Sequence, residues 1–129
     1  MSFTVTASGG SGTETEPNNT TATANNIAAS GTQLTGYIGT STDVDYFKMS
    51  LAAGKTLTVE MQPPSTKDYD VKLYNTSGTT LASGTNGTGA KETVTYKNTG
   101  TSAMTIYIKN YGYNSAYSTT LSYTIKFTW

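Results

Sequence analysis

The residues able to do chemistry are few, and they are clustered. The chain has eight Asp and Glu, half of them in two short segments. Glu14 and Glu16 lie in E-T-E-P-N-N (14–19), where Asn18 and Asn19 add neutral oxygens. Asp43 and Asp45 lie in T-D-V-D-Y-F (42–47). Alternate residues on an extended segment project to the same side, so each pair can converge on one point. Convergence of like charges is repulsive unless a hard cation sits between them. Calcium takes about 6–8 oxygen ligands from carboxylates, amides and carbonyls. If segment 13–19 folds against the start of the Asp43–Asp45 strand, the oxygen count suits calcium. The ion would then pin a segment too polar to pin itself. Zinc would lack its nitrogen and sulfur ligands, and magnesium keeps more of its water. The same residues also read as solvated acids in a loop and at a strand entrance. Spacing alone leaves both readings open.

A second group is aromatic. Ten of the 14 aromatic residues are tyrosine. Phe47, Tyr96, Tyr123 and Phe127 fall on apolar strand faces and are expected in the core. Tyr46, Tyr74 and Tyr107 fall on the polar parity, and Tyr111 and Tyr113 sit in N-Y-G-Y-N (110–114). An exposed tyrosine offers a flat apolar face and a hydroxyl at low entropic cost. Such a surface suits sugar rings or proline-rich triple helices. Packing under loops or on a neighbouring domain is the competing reading.

Composition bounds the rest. The 129 residues include no His, Cys or Arg, and eight Lys balance the eight acids to a formal net charge of zero. Thr, Ser, Gly and Asn together supply nearly half the chain. There is no His or Cys for a triad, a thiol nucleophile or an ordinary zinc site. There is no guanidinium clamp. Zero net charge argues against electrostatic binding of nucleic acid or an anionic membrane. No apolar run approaches the roughly 20 residues of a membrane span, and no basic-then-apolar signal peptide is present in these residues. Met1-Ser2-Phe3 reads as the start of an excised or recombinant fragment. A cysteine-free extracellular module of bacterial origin is expected, and as a monomer.

The elements that must position these residues have a period of two. Phe47, Met49 and Leu51 alternate with Tyr46, Lys48 and Ser50. Leu57, Val59 and Met61 follow the same rule, as do Val71 and Leu73, Val94 and Tyr96, and Met104, Ile106 and Ile108. The last run puts Leu121, Tyr123, Ile125 and Phe127 on one side, and Asp70, Lys72 and Tyr74 are expected to face outward. Turn signals separate the runs, at Gly54, Pro63-Pro64, Ser77-Gly78, Asn86-Gly87 and Asn98–Gly100. Six to eight such strands predict an all-β, antiparallel β-sandwich, jelly-roll-like, as a single domain. Residues 1–12 read as a Gly/Ser linker, with Phe3 and Val5 as an edge strand. Residues 13–129 read as the calcium-stabilised module, with 13–33 irregular or briefly helical.

The order E-x-E-P-N-N, then Leu34-Thr35-Gly36-Tyr37-Ile38, then D-V-D-Y-F resembles the bacterial pre-peptidase C-terminal domain. D-Y-D-V-K-L-Y-N-T-S-G (68–78) resembles its second motif, and the similarity runs over roughly residues 13–128. The resemblance implies a secreted, non-catalytic sandwich attached to a peptidase or other hydrolase. Similar collagen-binding domains of clostridial collagenases hold calcium through an E-x-E-x-N-D segment and strand acids. Glu14, Glu16 and Asn18 match that segment, and Asn19 stands in place of its aspartate, lowering the charge. Asp43 and Asp45 match the strand acids with tighter spacing.

No enzyme is expected. Glu60 faces outward, Glu92 opens a strand, and neither has an apolar pocket suggested around it to raise its pKa. The function expected is an accessory module holding its catalytic domain on an insoluble polymer through Tyr46, Tyr74, Tyr107, Tyr111 and Tyr113. Polysaccharide is slightly favoured over a collagen-like polymer. A structural spacer is the alternative from another class.

Overall fold

Alternating sequence yields strands with one dry face. The computed structural model describes residues 10–129. Phe3 and Val5 lie outside the described residues. The strands are β1 (Ser11–Thr13), β2 (Asn25–Asn26), β3 (Thr32–Gly36), β4 (Val44–Leu51), β5 (Thr56–Gln62), β6 (Tyr69–Tyr74), β7 (Thr80–Gly84), β8 (Glu92–Lys97), β9 (Met104–Gly112) and β10 (Tyr123–Thr128). They form two five-stranded sheets, ordered β1-β3-β10-β5-β8 and β2-β4-β9-β6-β7. Every connection but β6–β7 carries the chain from one sheet to the other.

The sandwich and its main antiparallel ladders are as the periodicity predicts. The difference lies at the edges, where β1 joins β3 and β2 joins β4 in parallel. Ser11–Thr13, which straddles the end of the stretch read as linker, is therefore an edge strand. All three residues are exposed. Edge pairing uses backbone groups alone, so apolar patterning gives no sign of it. Segment 13–33 is held by these two short strands, by one 3-10 turn at Thr21–Thr23 capped by Thr20, and by buried Ile27.

Between the sheets, Phe47, Met49, Leu51, Leu57, Val59, Met61, Ile106, Ile108, Ile125 and Phe127 are almost wholly buried. Phe47 and Phe127 meet across the sheets at 5.3 Å between ring centroids. Removing a ring such as Phe127 from this packing costs about 3–5 kcal/mol. Tyr69 and Tyr123 form a second inter-sheet pair, edge to face at 6.3 Å. Leu121, assigned to the inner face by its parity, is instead 45% exposed, because the last strand begins only at Tyr123.

Candidate metal centre

The N-terminal segment crosses from one sheet to the other over the end of the sandwich. The Glu14 amide donates to the Thr35 carbonyl of β3 at 2.9 Å. Four residues later, the Asn18 carbonyl accepts from the Tyr46 amide of β4 at 2.8 Å. Asn25, in β2, clamps the crossing. Its side chain accepts from Thr15 N and donates back to Thr15 O, both at 2.9 Å, and it accepts from Asn18 Nδ2 at 3.1 Å. Sequence reasoning missed Asn25, since an Asn among Thr and Ala carries no pattern.

This path brings Glu14 and Glu16 to Asp45, with carboxylate oxygens of all three within 4.8 Å of one another. Ligands about 2.3–2.6 Å from one ion are at most about 5 Å apart, so one cation can touch all three. Asp45 shares the inward parity of Phe47 and is fully buried. Tyr123 Oη donates to its Oδ2, while its Oδ1 has no partner. Glu14 accepts from the Tyr37 amide at 2.7 Å and from Asn18 Nδ2 at 2.8 Å. Asn18 is itself buried and its Oδ1 is unpartnered. Burial pushes both carboxyls up, and the charge of Glu14 raises Asp45 further. Without a cation, that burial favours the protonated form of Asp45. The donor set is all oxygen and includes buried lone pairs with nothing to accept, which fits a hard cation.

Asp43 stands alongside with both oxygens engaged. Its Oδ2 accepts from the Gly39 amide at 2.9 Å. With its amide turned to satisfy its hydrogen bonds, Asn19 places its nitrogen 2.9 Å from Asp43 Oδ1 and 2.7 Å from the Val44 carbonyl, and so steadies Asp43 as a donor. A recess of about 360 Å³ between Glu14, Glu16, Gly36, Tyr37 and Asp43 opens beside the cluster. Another recess, about 620 Å³, lies between β1 and Asn25–Ala28 and has no titratable side chain in its lining.

A further set of acids went unread. Asp68, Asp70 and Glu92 also bring carboxylate oxygens within 4.8 Å of one another. Asp70, expected to face outward with Lys72, is only 2% exposed. It lies one residue beyond the last β6–β7 pair, Val71–Gly84, at an open corner of the sheet. Glu92, expected to lie outside any apolar pocket, is fully buried on the inward face shared with Val94. Burial raises both groups, Asp70 to about 6, with the Asp68 charge adding to each. Seven of the eight acids thus collect at one end of the sandwich, and the eighth, Glu60, is ion-paired to Lys91 at 2.7 Å.

The tyrosines separate into groups. Tyr46, Tyr74 and Tyr107, on β4, β6 and β9, line one groove of about 440 Å³ with Thr21 and the Asn75–Gly78 turn. Asn75 Oδ1 accepts from Ser77 N and Thr79 N, fixing that turn. Tyr111 lies apart under two cations, with Lys109 Nζ 4.9 Å and Lys72 Nζ 5.7 Å from its ring centroid. Tyr113 is 57% exposed beyond the end of β9, near the acids. Its amide donates to the Asp68 carbonyl. In the core, Tyr96 is only partly buried, and Tyr69 takes the fully buried place.

No family model and no curated protein matches the chain. Among solved structures, it is similar to the pre-peptidase C-terminal domain of a collagenase from Bacillus anthracis. Identity is 18%, over 81% of this chain and 94% of that one, with a TM-score of 0.61. PliG of Aeromonas hydrophila, a periplasmic inhibitor of g-type lysozyme, aligns over 81% of this chain and 96% of its own at 11% identity and TM-score 0.46. The sandwich described above has the fold of a pre-peptidase C-terminal domain.

Proposed function

We propose that the chain is a non-catalytic accessory module of a secreted bacterial hydrolase, which it holds on an insoluble polymer, with calcium fixing the N-terminal segment. The observation that carries the binding role is the groove of Tyr46, Tyr74 and Tyr107 beside the Asn75–Gly78 turn. Rings with hydroxyls and amides around them, and no carboxylate in the lining, suit a neutral polymer such as a polysaccharide. The calcium role is supported by the convergence of Glu14, Glu16 and Asp45. The likeness to a collagenase domain favours a second reading, a collagen-like protein polymer bound for a peptidase.

A pull-down panel of cellulose, xylan, chitin, starch and collagen, with and without calcium, tests both. Retention on one polysaccharide, lost in Tyr107→Ala with an unchanged melt, is the expected result. Retention on collagen alone selects the second reading. Failure to bind any of the five leaves a spacer.

A further inference from the structure

At the corner where β6 and β8 approach, we propose a second calcium site formed by Asp68, Asp70 and Glu92, which ties the two sheets together. Asp68 and Asp70 come from the start of β6 in one sheet, and Glu92 from the start of β8 in the other. Their carboxylate oxygens lie within 4.8 Å of one another. That spacing admits one ion at calcium–oxygen distances.

Convergence alone would be an ordinary acidic patch. The independent observation is Glu92. It is 0% exposed, is aimed at the two aspartates, and neither of its oxygens has a partner within hydrogen-bond geometry among the described residues, the Asn86 amide only approaching it. Asp70 Oδ1 is likewise buried and unpartnered. Buried carboxylates are normally hydrogen-bonded, and an unpaired buried charge is expensive. No lysine among the described residues makes an ion pair with the three. Lys91 is bound to Glu60, and Lys72 lies over Tyr111.

Local sequence keeps the space open. A Cβ at Gly84 would stand 2.6 Å from Glu92 Oε1. Asp68, half-buried, forms the mouth through which an ion enters. The ligands are hard oxygens only, so the site selects calcium over zinc, and water completes the shell. It shares no residue with the Glu14–Glu16–Asp45 site.

Calorimetric titration of the chelator-stripped chain with calcium chloride, beside thermal melts, tests the proposal. The wild type should take up two equivalents of calcium, Glu16→Gln one, Glu92→Gln one, and the double variant none. Glu92→Gln relieves repulsion in the metal-free chain and should fold. Asp68→Asn, at the half-exposed mouth, repeats the test with at least a tenfold weaker second affinity expected. If both variants keep the wild-type stoichiometry and calcium-dependent melt, the second site does not exist. If Glu92→Gln loses an equivalent and Glu16→Gln loses none, this site stands and the N-terminal one fails.

Discussion

Two acid clusters occupy one end of the sandwich, and they differ in what surrounds them. Around Glu14 and Asp45, the protein supplies donors: the Tyr37 amide, Asn18 Nδ2 and Tyr123 Oη. Around Asp68, Asp70 and Glu92, four carboxylate oxygens have none. Hydrogen bonds to a carboxylate stabilise its charged form, and in the first cluster they offset only part of the burial that raises Glu14 and Asp45. The second leaves its charge to a proton or a cation. In the first, a segment outside the main ladders is brought to a strand; in the second, two strands meet.

The widest separation between ion-free and ion-bound protein is expected in pH dependence. In chelator, burial raises the folded-state pKa of Glu14, Asp45, Asp70 and Glu92. A raised carboxyl gives stability that is full below its unfolded pKa and is lost as pH rises through the folded value. For Asp70, that window runs from its ordinary 3.8 to about 6, a loss of roughly 3 kcal/mol. Denaturation in chelator should therefore show a less stable protein at about pH 8 than at about pH 5. Calcium should reverse the order, because protons compete with the ion for the same oxygens. A chelated protein equally stable across this range would show that neither cluster carries a burial cost that a cation relieves.

Each cluster also faces a glycine. A Cβ at Gly36 would stand 2.6 Å from both Glu14 Oε2 and Tyr123 Oη, and 2.7 Å from Tyr123 Cζ. At Gly84, it would meet Glu92 Oε1 at 2.6 Å and Val94 Cγ2 at 2.8 Å. Gly36→Ala must displace a fully buried ring, while Gly84→Ala displaces mainly a side-chain end. Overpacking costs about 1–3 kcal/mol. Gly36→Ala should lie at the upper end of that range and Gly84→Ala at the lower, as read by urea midpoints in chelator. The reverse order would mean that Glu92 is the more rigidly held group.

Asn25→Ala probes the segment that only the first cluster uses. It removes the clamp on Thr15 and the contact with Asn18. These bonds are partly exposed, so a loss of about 1–2 kcal/mol is expected. Calcium affinity at the first site should fall, and the second equivalent should be unaffected. Loss of both equivalents in the titration would show that the clusters are coupled.

The sandwich was legible because inward residues of β4, β5, β9 and β10 keep a strict period of two. The first cluster was legible because its acids are paired in sequence. Asp68, Asp70 and Glu92 were not, since Glu92 is 22 positions from Asp70 and they meet only through the sheet topology. Parity also misled: Asp70 has outward parity but sits where β7 has already ended. The tyrosines had the opposite fate, with strand parity sound for Tyr46, Tyr74 and Tyr107 but silent on the lysines that cover Tyr111.

The smallest effect should come from the one acid outside both clusters. Glu60 is paired to Lys91 at 2.7 Å, with both side chains substantially exposed. Lys91 lowers its pKa, first by the hydrogen bond and then by its charge. That is the direction opposite to the buried acids. The pair lies in water, where screening and lost side-chain freedom cancel most of the attraction. Lys91→Ala should therefore cost no more than about 0.5 kcal/mol, with a further decrease in high salt and no change in calcium binding. Because Lys91 adjoins Glu92 in sequence, this variant also tests whether a nearby cation serves the second cluster. A calcium affinity that rises when Lys91 is removed would show that its charge reaches those carboxylates. An unchanged affinity would show that Lys91 does not serve those carboxylates.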